Sequence, residues 1–229
     1  INGFELKPAL LRTTAHLRSN DKQTDSYALW AWQVQVLRKA QAESLGTRYQ
    51  PGTVTAEWMR QLAQLSWSEQ GPHLAKEYLN RAGIHLVFEP HLDKTYLDGA
   101  VCMGHNRAPV VALTLRHDRL DNFWFTLMHE LAHIALHMDG NQSWYLDDLD
   151  AQGGDECEQQ ADALAKECLI PARDWSVAAM TTPTAVIALA QRLSISPCIV
   201  AGRVRHETGE HTLFNRQFRY KVKATLGMN

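Results

Sequence analysis

No stretch of this 229-residue chain approaches the roughly 18 continuous apolar residues that a membrane-spanning helix needs. Cysteine is scarce as well. Cys102, Cys157, Cys168 and Cys198 show no CxxC spacing and no dense framework, which argues against a disulfide-stapled secreted scaffold and for reduced thiols in the cytoplasm. Neither sign of charge is in excess: 23 Lys and Arg face 25 Asp and Glu, for a formal net charge of −2. The molecule as a whole is therefore no electrostatic magnet for nucleic acid or anionic lipid, and any basic patch must be local. The opening INGFELKPALLR lacks the cationic block and apolar run of a secretory signal. Its first residue is Ile1 rather than Met, so the natural chain is expected to begin upstream.

What is present is ordinary globular material, 45% hydrophobic and 21% charged, enough for one large domain or a compact domain with an accessory piece. Residues 1–75 form an N-terminal helical connector or accessory region in this reading, 76–206 the main domain, and 207–229 a basic tail. Apolar spacing near 3.6 predicts two or three helices before about residue 80, broken at 46–53 and 70–73. Tyr27, Trp30, Val34 and Leu37 fall on one face, as do Trp58, Leu62 and Leu65; both stripes read as packing faces. Three β-branched runs follow, IHLVF (84–88), GAVCM (99–103) and APVVALTL (108–115), separated by turn residues such as Asp98-Gly99 and Gly104-His105-Asn106. They predict a small three-stranded sheet. Helices are expected from Asp121, taken as N-cap, to His137, then from Asp155 to Pro171, and as a pair over 183–193 and 197–206. The fold class is α+β, mostly helical, with the sheet beside the helix that starts near Asp121.

That helix poses the chemical question. TLMHELAHIALHMDG (126–140) sets His129, Glu130 and His133 into an apolar run. Positions i and i+4 lie one turn apart on a helix, so His129 and His133 can aim two ring nitrogens at one point, as zinc requires. Glu130 lies about 100° round the helix from His129, near enough to take a proton from an attacking water without being a ligand. Leu127, Met128, Leu131, Ala132, Ile134 and Ala135 make the helix apolar nearly all round. Unpaired imidazoles and a carboxylate are costly to bury, and a metal supplies the compensation.

A catalytic zinc needs a third protein ligand. A ligand six residues beyond His133, after a glycine turn, fails here: Leu136 stands where the glycine belongs and Asp139 where the ligand would be. The alternative is an acid on a second helix. In DECEQQADALAKECLIP the apolar face runs through Ala161, Leu164, Ala165 and Cys168, and Glu158 lies on that inward face, with Asp155 an outside candidate. Asp162, one turn on, is placed to accept the remaining N–H of a ligating histidine.

These residues resemble the ImmA/IrrE family of bacterial metallopeptidases, a gluzincin-like group, over about 75–206: a strand and LDG (97–99), the strand APVVAL, FTLMHELAHIALH (125–137), EQQADALAKECLIP (158–171) and a late ALAQRLSISPCIVAGRV (188–204). The resemblance implies a zincin-like fold, with His129, His133 and Glu158 as zinc ligands and Glu130 as catalytic base. Gln160 stands where the family often has a second Glu, and Asp162 where it usually has Asn; neither change removes a ligand. It also implies a site-specific endopeptidase in the bacterial cytoplasm, acting on a transcriptional repressor or antitoxin-like protein in stress or mobile-element regulation. Members often carry a DNA-binding helix-turn-helix N-terminal to the peptidase, and PALLRTTAHLRSN reads as the connector after such a domain.

The His/His/Glu set favours zinc over manganese or iron without excluding them. Tyr145 and His137 are candidates for the oxyanion donor. The strand at 108–115 is a candidate for binding substrate by edge addition. A DNA-binding regulator is the rival reading: ALAQRLSISPCIVAGRVRHE has helix-turn-helix character with Arg192, Arg203 and Arg205, and the tail adds Arg216, Arg219, Lys221 and Lys223. A sensor that uses the metal pocket for binding without cleavage shares the same ligands.

Overall fold

The computed structural model describes residues 25–138, 144–147 and 156–228. Seven main helices and four strands make up most of this region: α1 (Ser26–Ala42), α2 (Ala56–Gln64), α3 (Gly71–Arg81), β1 (His85–Phe88), β2 (Gly99–Met103), β3 (Pro109–Leu113), α4 (Leu120–Leu136), β4 (Trp144–Asp147), α5 (Glu156–Leu169), α6 (Pro183–Leu193) and α7 (Pro197–Thr208). The α+β reading holds. The connector predicted before Asp25, and the alternative ligands Asp139 and Asp155, lie outside the described residues.

The sheet has four strands, in the order β1-β3-β2-β4, not three. The additional strand, β4, holds no β-branched residue and leads in the sequence into Asp147, Asp148 and Asp150, so its run did not read as a strand. β1 runs parallel to β3, while β2 is antiparallel to both β3 and β4. This order corrects the edge-strand expectation: β3 lies between β1 and β2 and has a hydrogen-bonded neighbour on each side. Among the described residues the edges are β1 and β4.

Because side chains alternate across a strand, the sheet divides its apolar residues between two faces. Leu86, Val101, Val111, Leu113 and Tyr145 join the main core with α2 to α7. Val87, Ala100, Cys102, Val110, Ala112 and Trp144 point the other way, where Leu29, Trp32, Val36 and Ala40 of α1 cover them. The packing stripe of α1 thus differs from the predicted one. Tyr27 is 85% exposed and Trp30 46%, whereas Trp32 is fully buried and donates its indole N–H to Glu89 O at 3.1 Å. The buried face, centred on Leu29, Trp32, Val36 and Ala40, is rotated by about a third of a turn from the predicted stripe. On α2, Leu62 is buried with Met59 and Ala63, and Trp58 lies against Tyr78.

Asp121 does not cap α4. Arg119 holds the N-cap position, and Asp121 lies in the first turn. Its carboxylate bridges Arg119 and Arg205, the latter at 2.8 Å and 2% exposed. Burial would raise the Asp121 pKa, but hydrogen bonds and charge from the two guanidiniums outweigh it and hold the group below the ordinary carboxylate range. The four cysteines are free, and burial pushes Cys168 up to about 11 and Cys198 to about 12, so these two thiols are protonated and unreactive at neutral pH.

Two predictions follow from packing. Trp32→Ala should lower the unfolding free energy by about 3–5 kcal/mol, measured by urea denaturation; a change under about 1 kcal/mol would mean that α1 is not part of the core. Asp121→Asn leaves Arg205 buried without its counter-charge and should cost about 3 kcal/mol at neutral pH. A carboxylate with a depressed folded pKa stabilises above its unfolded pKa and loses that contribution as pH falls. The gap between wild type and Asp121→Asn should therefore narrow below about pH 4.

Candidate metal centre

The site is built where α4 packs against α5. Contacts pair His137 with Gln160, His129 with Asp162 and Phe125 with Lys166, so the two helices run antiparallel. One face of α4 presents Phe125, His129, His133 and His137 at four-residue intervals; the facing side of α5 supplies Glu158, Asp162 and Lys166. His129, Glu130 and His133 are all buried, at 1%, 0% and 0% exposure.

Three of these side chains converge. His129 Nε2 lies 3.0 Å from His133 Nε2 and 3.0 Å from Glu158 Oε2, and His133 Nε2 lies 3.5 Å from Glu158 Oε1. A tetrahedral zinc with ligand bonds of about 2.0–2.1 Å spaces its ligand atoms about 3.3–3.4 Å apart, and the observed distances bracket that value. His129, His133 and Glu158 together form a group that could hold a metal ion. The donor set of two imidazoles and one carboxylate suits zinc and leaves a fourth position for water or substrate.

The electrostatics fit the same purpose. Burial keeps His133 below the usual imidazole range, against the opposing pull of Glu158, so it is neutral and can offer a lone pair. Burial would raise Glu158, but hydrogen bonds and charge from His129 and His133 outweigh it and bring the group to about 2. Asp162 accepts from His129 Nδ1 at 3.0 Å and from Lys166 Nζ at 2.9 Å. Burial pushes its pKa up, yet these partners hold it below its normal value.

Glu130 occupies a niche that the sequence did not announce. A Cβ built on Gly99 would meet Glu130 Oε1 at 2.3 Å and Thr126 Cγ2 at 2.7 Å. The first residue of β2 is thus bare where the carboxylate fits between strand and helix, and an alanine there would force the carboxylate or Thr126 to shift. LDG was legible as turn chemistry; its role against Glu130 needed the packing. Tyr145, on β4, stacks on the His133 ring at a centroid distance of 4.8 Å and donates its hydroxyl to His137 O at 2.9 Å.

A family model for Peptidase_M78, the IrrE N-terminal-like domain, matches residues 79–205. The chain belongs to this family. No curated protein matches the sequence. Membership in Peptidase_M78 makes the chain a metallopeptidase-type domain, for which a divalent metal and a protein substrate are the expectation. The match begins near the end of α3 and ends within α7, so it takes in both helices of the site and the whole described sheet. Among the described residues no helix is long and apolar enough to cross a membrane.

Of the arginines that suggested a DNA-binding helix pair, Arg203 and Arg205 are engaged within the fold, and Arg192 stays 59% exposed. Arg205 is buried on Asp121 and Leu213 O. Arg203 pairs with Glu207, donates to Ile170 O and stacks over Trp175. Arg192 reaches Asp174. The α6–α7 pair packs on α4 as part of the peptidase body, and these contacts hold its guanidinium groups to intramolecular partners.

The decisive measurement is bound zinc by elemental analysis. About one zinc per chain is expected for wild type, the number that one tetrahedral site holds. His133→Ala and Glu158→Ala should each lose it. Retention of the metal in Glu158→Ala would remove that residue from the ligand set.

Proposed function

We propose that this chain is a zinc-dependent endopeptidase that hydrolyses a peptide bond in a protein partner such as a transcriptional repressor or antitoxin, as part of bacterial stress or mobile-element regulation. The convergence of His129, His133 and Glu158 on one point, with Glu130 on the same helix turn, is the observation that carries this reading. Zinc held by His129 Nε2, His133 Nε2 and Glu158 would supply Lewis acidity, lowering the pKa of water towards about 7 and polarising the scissile carbonyl.

The remaining chemistry belongs to the protein. Glu130 acts as general base, taking a proton from the attacking water and returning it to the leaving amine. Its carboxylate lies in the space that a Cβ on Gly99 would fill, which supports a base positioned before substrate arrives. Asp162 holds His129 from behind and keeps its Nε2 turned towards Glu158. An extended substrate segment would bind alongside β4, the edge strand nearest the α4 histidines through Tyr145, by adding a strand to the sheet.

Glu130→Gln separates binding from catalysis. It should keep about one zinc per chain and lose hydrolysis by roughly 10²-fold or more. The assay is N-terminal labelling of a bacterial lysate incubated with the zinc-loaded chain. New N-termini should appear with wild type and be missing with Glu130→Gln. Identical N-termini from both proteins would reject Glu130 as the base, and none from a fully zinc-loaded wild type would favour a non-cleaving sensor.

A further inference from the structure

We infer that His137 and Gln160 are positioning residues that fix the tautomer of His133 and thereby set the affinity of the site for zinc. The inference rests on the zinc reading above and extends it to side chains that touch neither metal nor substrate.

The argument is one of hydrogen positions. If His133 is to give a lone pair at Nε2, the only ring hydrogen of the neutral imidazole must sit on Nδ1. That Nδ1 lies 3.0 Å from His137 Nδ1. Two ring nitrogens can share one hydrogen only if the second is an acceptor, so His137 Nδ1 carries none and the His137 hydrogen is on Nε2. His137 Nε2 lies 3.1 Å from Gln160 Oε1, the oxygen end of an amide, which accepts it. The amide nitrogen of Gln160 in turn donates to Glu156 Oε1 at 3.1 Å. Each hydrogen position is forced by the one before it, and the chain ends on a carboxylate that needs no hydrogen of its own.

The two metal-facing histidines are thus supported in different ways. His129 donates to a carboxylate, Asp162, which is itself held by Lys166. A negative partner makes an imidazole more basic and a stronger ligand. His133 donates to a neutral ring, and negative charge enters only two links later, at Glu156. The same pattern gives Gln160 a function. An amide can accept from His137 and donate to Glu156 at once, whereas a carboxylate at position 160 could only accept, and it would face Glu156 one turn away with like charge.

The ring of His137 also keeps this support local. It is part-exposed at the end of α4 and makes its polar contacts with His133 and Gln160, so replacing it should disturb the orientation of His133 more than the core. Its backbone carbonyl separately receives the Tyr145 hydroxyl, an interaction that does not depend on which side chain stands at 137.

The test is zinc affinity, measured by chelator competition on the full chain, for wild type, His137→Phe, His137→Gln and Gln160→Leu. Loss of an outer partner of a metal-bound histidine typically weakens binding about 10–100-fold. His137→Phe should fall in that range, because a phenyl ring keeps the shape and removes the acceptor. His137→Gln should recover much of the loss, since its amide oxygen can accept from His133 Nδ1. Gln160→Leu should lie between wild type and His137→Phe. Long-range nitrogen–proton spectra of the zinc-loaded wild type should show His133 protonated at Nδ1 and His137 at Nε2. Unchanged affinity in His137→Phe would overturn the inference, as would a hydrogen found on His137 Nδ1. Equal weakness of the Phe and Gln variants would do so too, by showing that the ring and not its acceptor matters. A wild type that binds no zinc would instead defeat the peptidase reading, an outcome separate from any ratio between variants.

Discussion

Everything in this molecule depends on the antiparallel contact between α4 and α5. The imidazoles of His129 and His133, at 1% and 0% exposure, are unfavourable unless their ring nitrogens find partners. The contact supplies those partners from a segment about thirty residues further along the chain. His129 meets Glu158 and Asp162, His133 meets Glu158, and His137 meets Gln160. Neither helix is satisfied without the other. The same pairing that brings Ala161 and Ala165 of α5 into one core with α4 also determines where the ligand atoms converge. Packing and chemistry are therefore one constraint.

A site arranged this way is poised before any metal arrives. His133 is neutral because it is buried, Glu158 is ionised because the imidazoles hold it, and Glu130 is wedged against a glycine that leaves it little freedom. The cost of assembling these groups is met by the apolar shell of α2, α5 and α7 around α4, not by the ionic contacts themselves, which in a buried setting contribute little net stability. The α6–α7 pair belongs to this shell. Its arginines reinforce the base of α4 through Asp121 and close the body near Trp175.

Much of this was legible in the sequence, and what was not has physical reasons. The i, i+4 histidines and the inward face of α5 announced the cluster, because helical periodicity projects directly onto space. The other three strands were visible as β-branched runs. β4 was not, since Trp-Tyr-Leu-Asp holds no β-branched residue. The buried face of α1 was misread because Tyr27 and Trp30 are bulky and apolar yet lie exposed, while the smaller Leu29, Val36 and Ala40 make the seam with Trp32. Asp121 looked like a cap because its residue type favours that position, but a buried guanidinium 84 residues away has the stronger claim on its carboxylate. Likewise Gln160 and His137 showed their roles only once the two helices were brought side by side.

The way α1 lies on the sheet has a consequence for solubility. Val87, Ala100, Cys102, Val110, Ala112 and Trp144 make this face largely apolar, and α1 is the helix that shields it. That helix is drawn from outside the segment that matches the peptidase family and is joined to the body through residues 43–55. A break in that stretch would leave α1 held by side-chain contacts and the backbone hydrogen bond from its N-cap Asp25 to Lys94 O. Its departure would expose a contiguous adhesive surface on a sheet flanked by edge strands, the combination that drives self-association. A fragment trimmed to the matched segment would then be prone to precipitate for want of a cover, even with its catalytic groups intact.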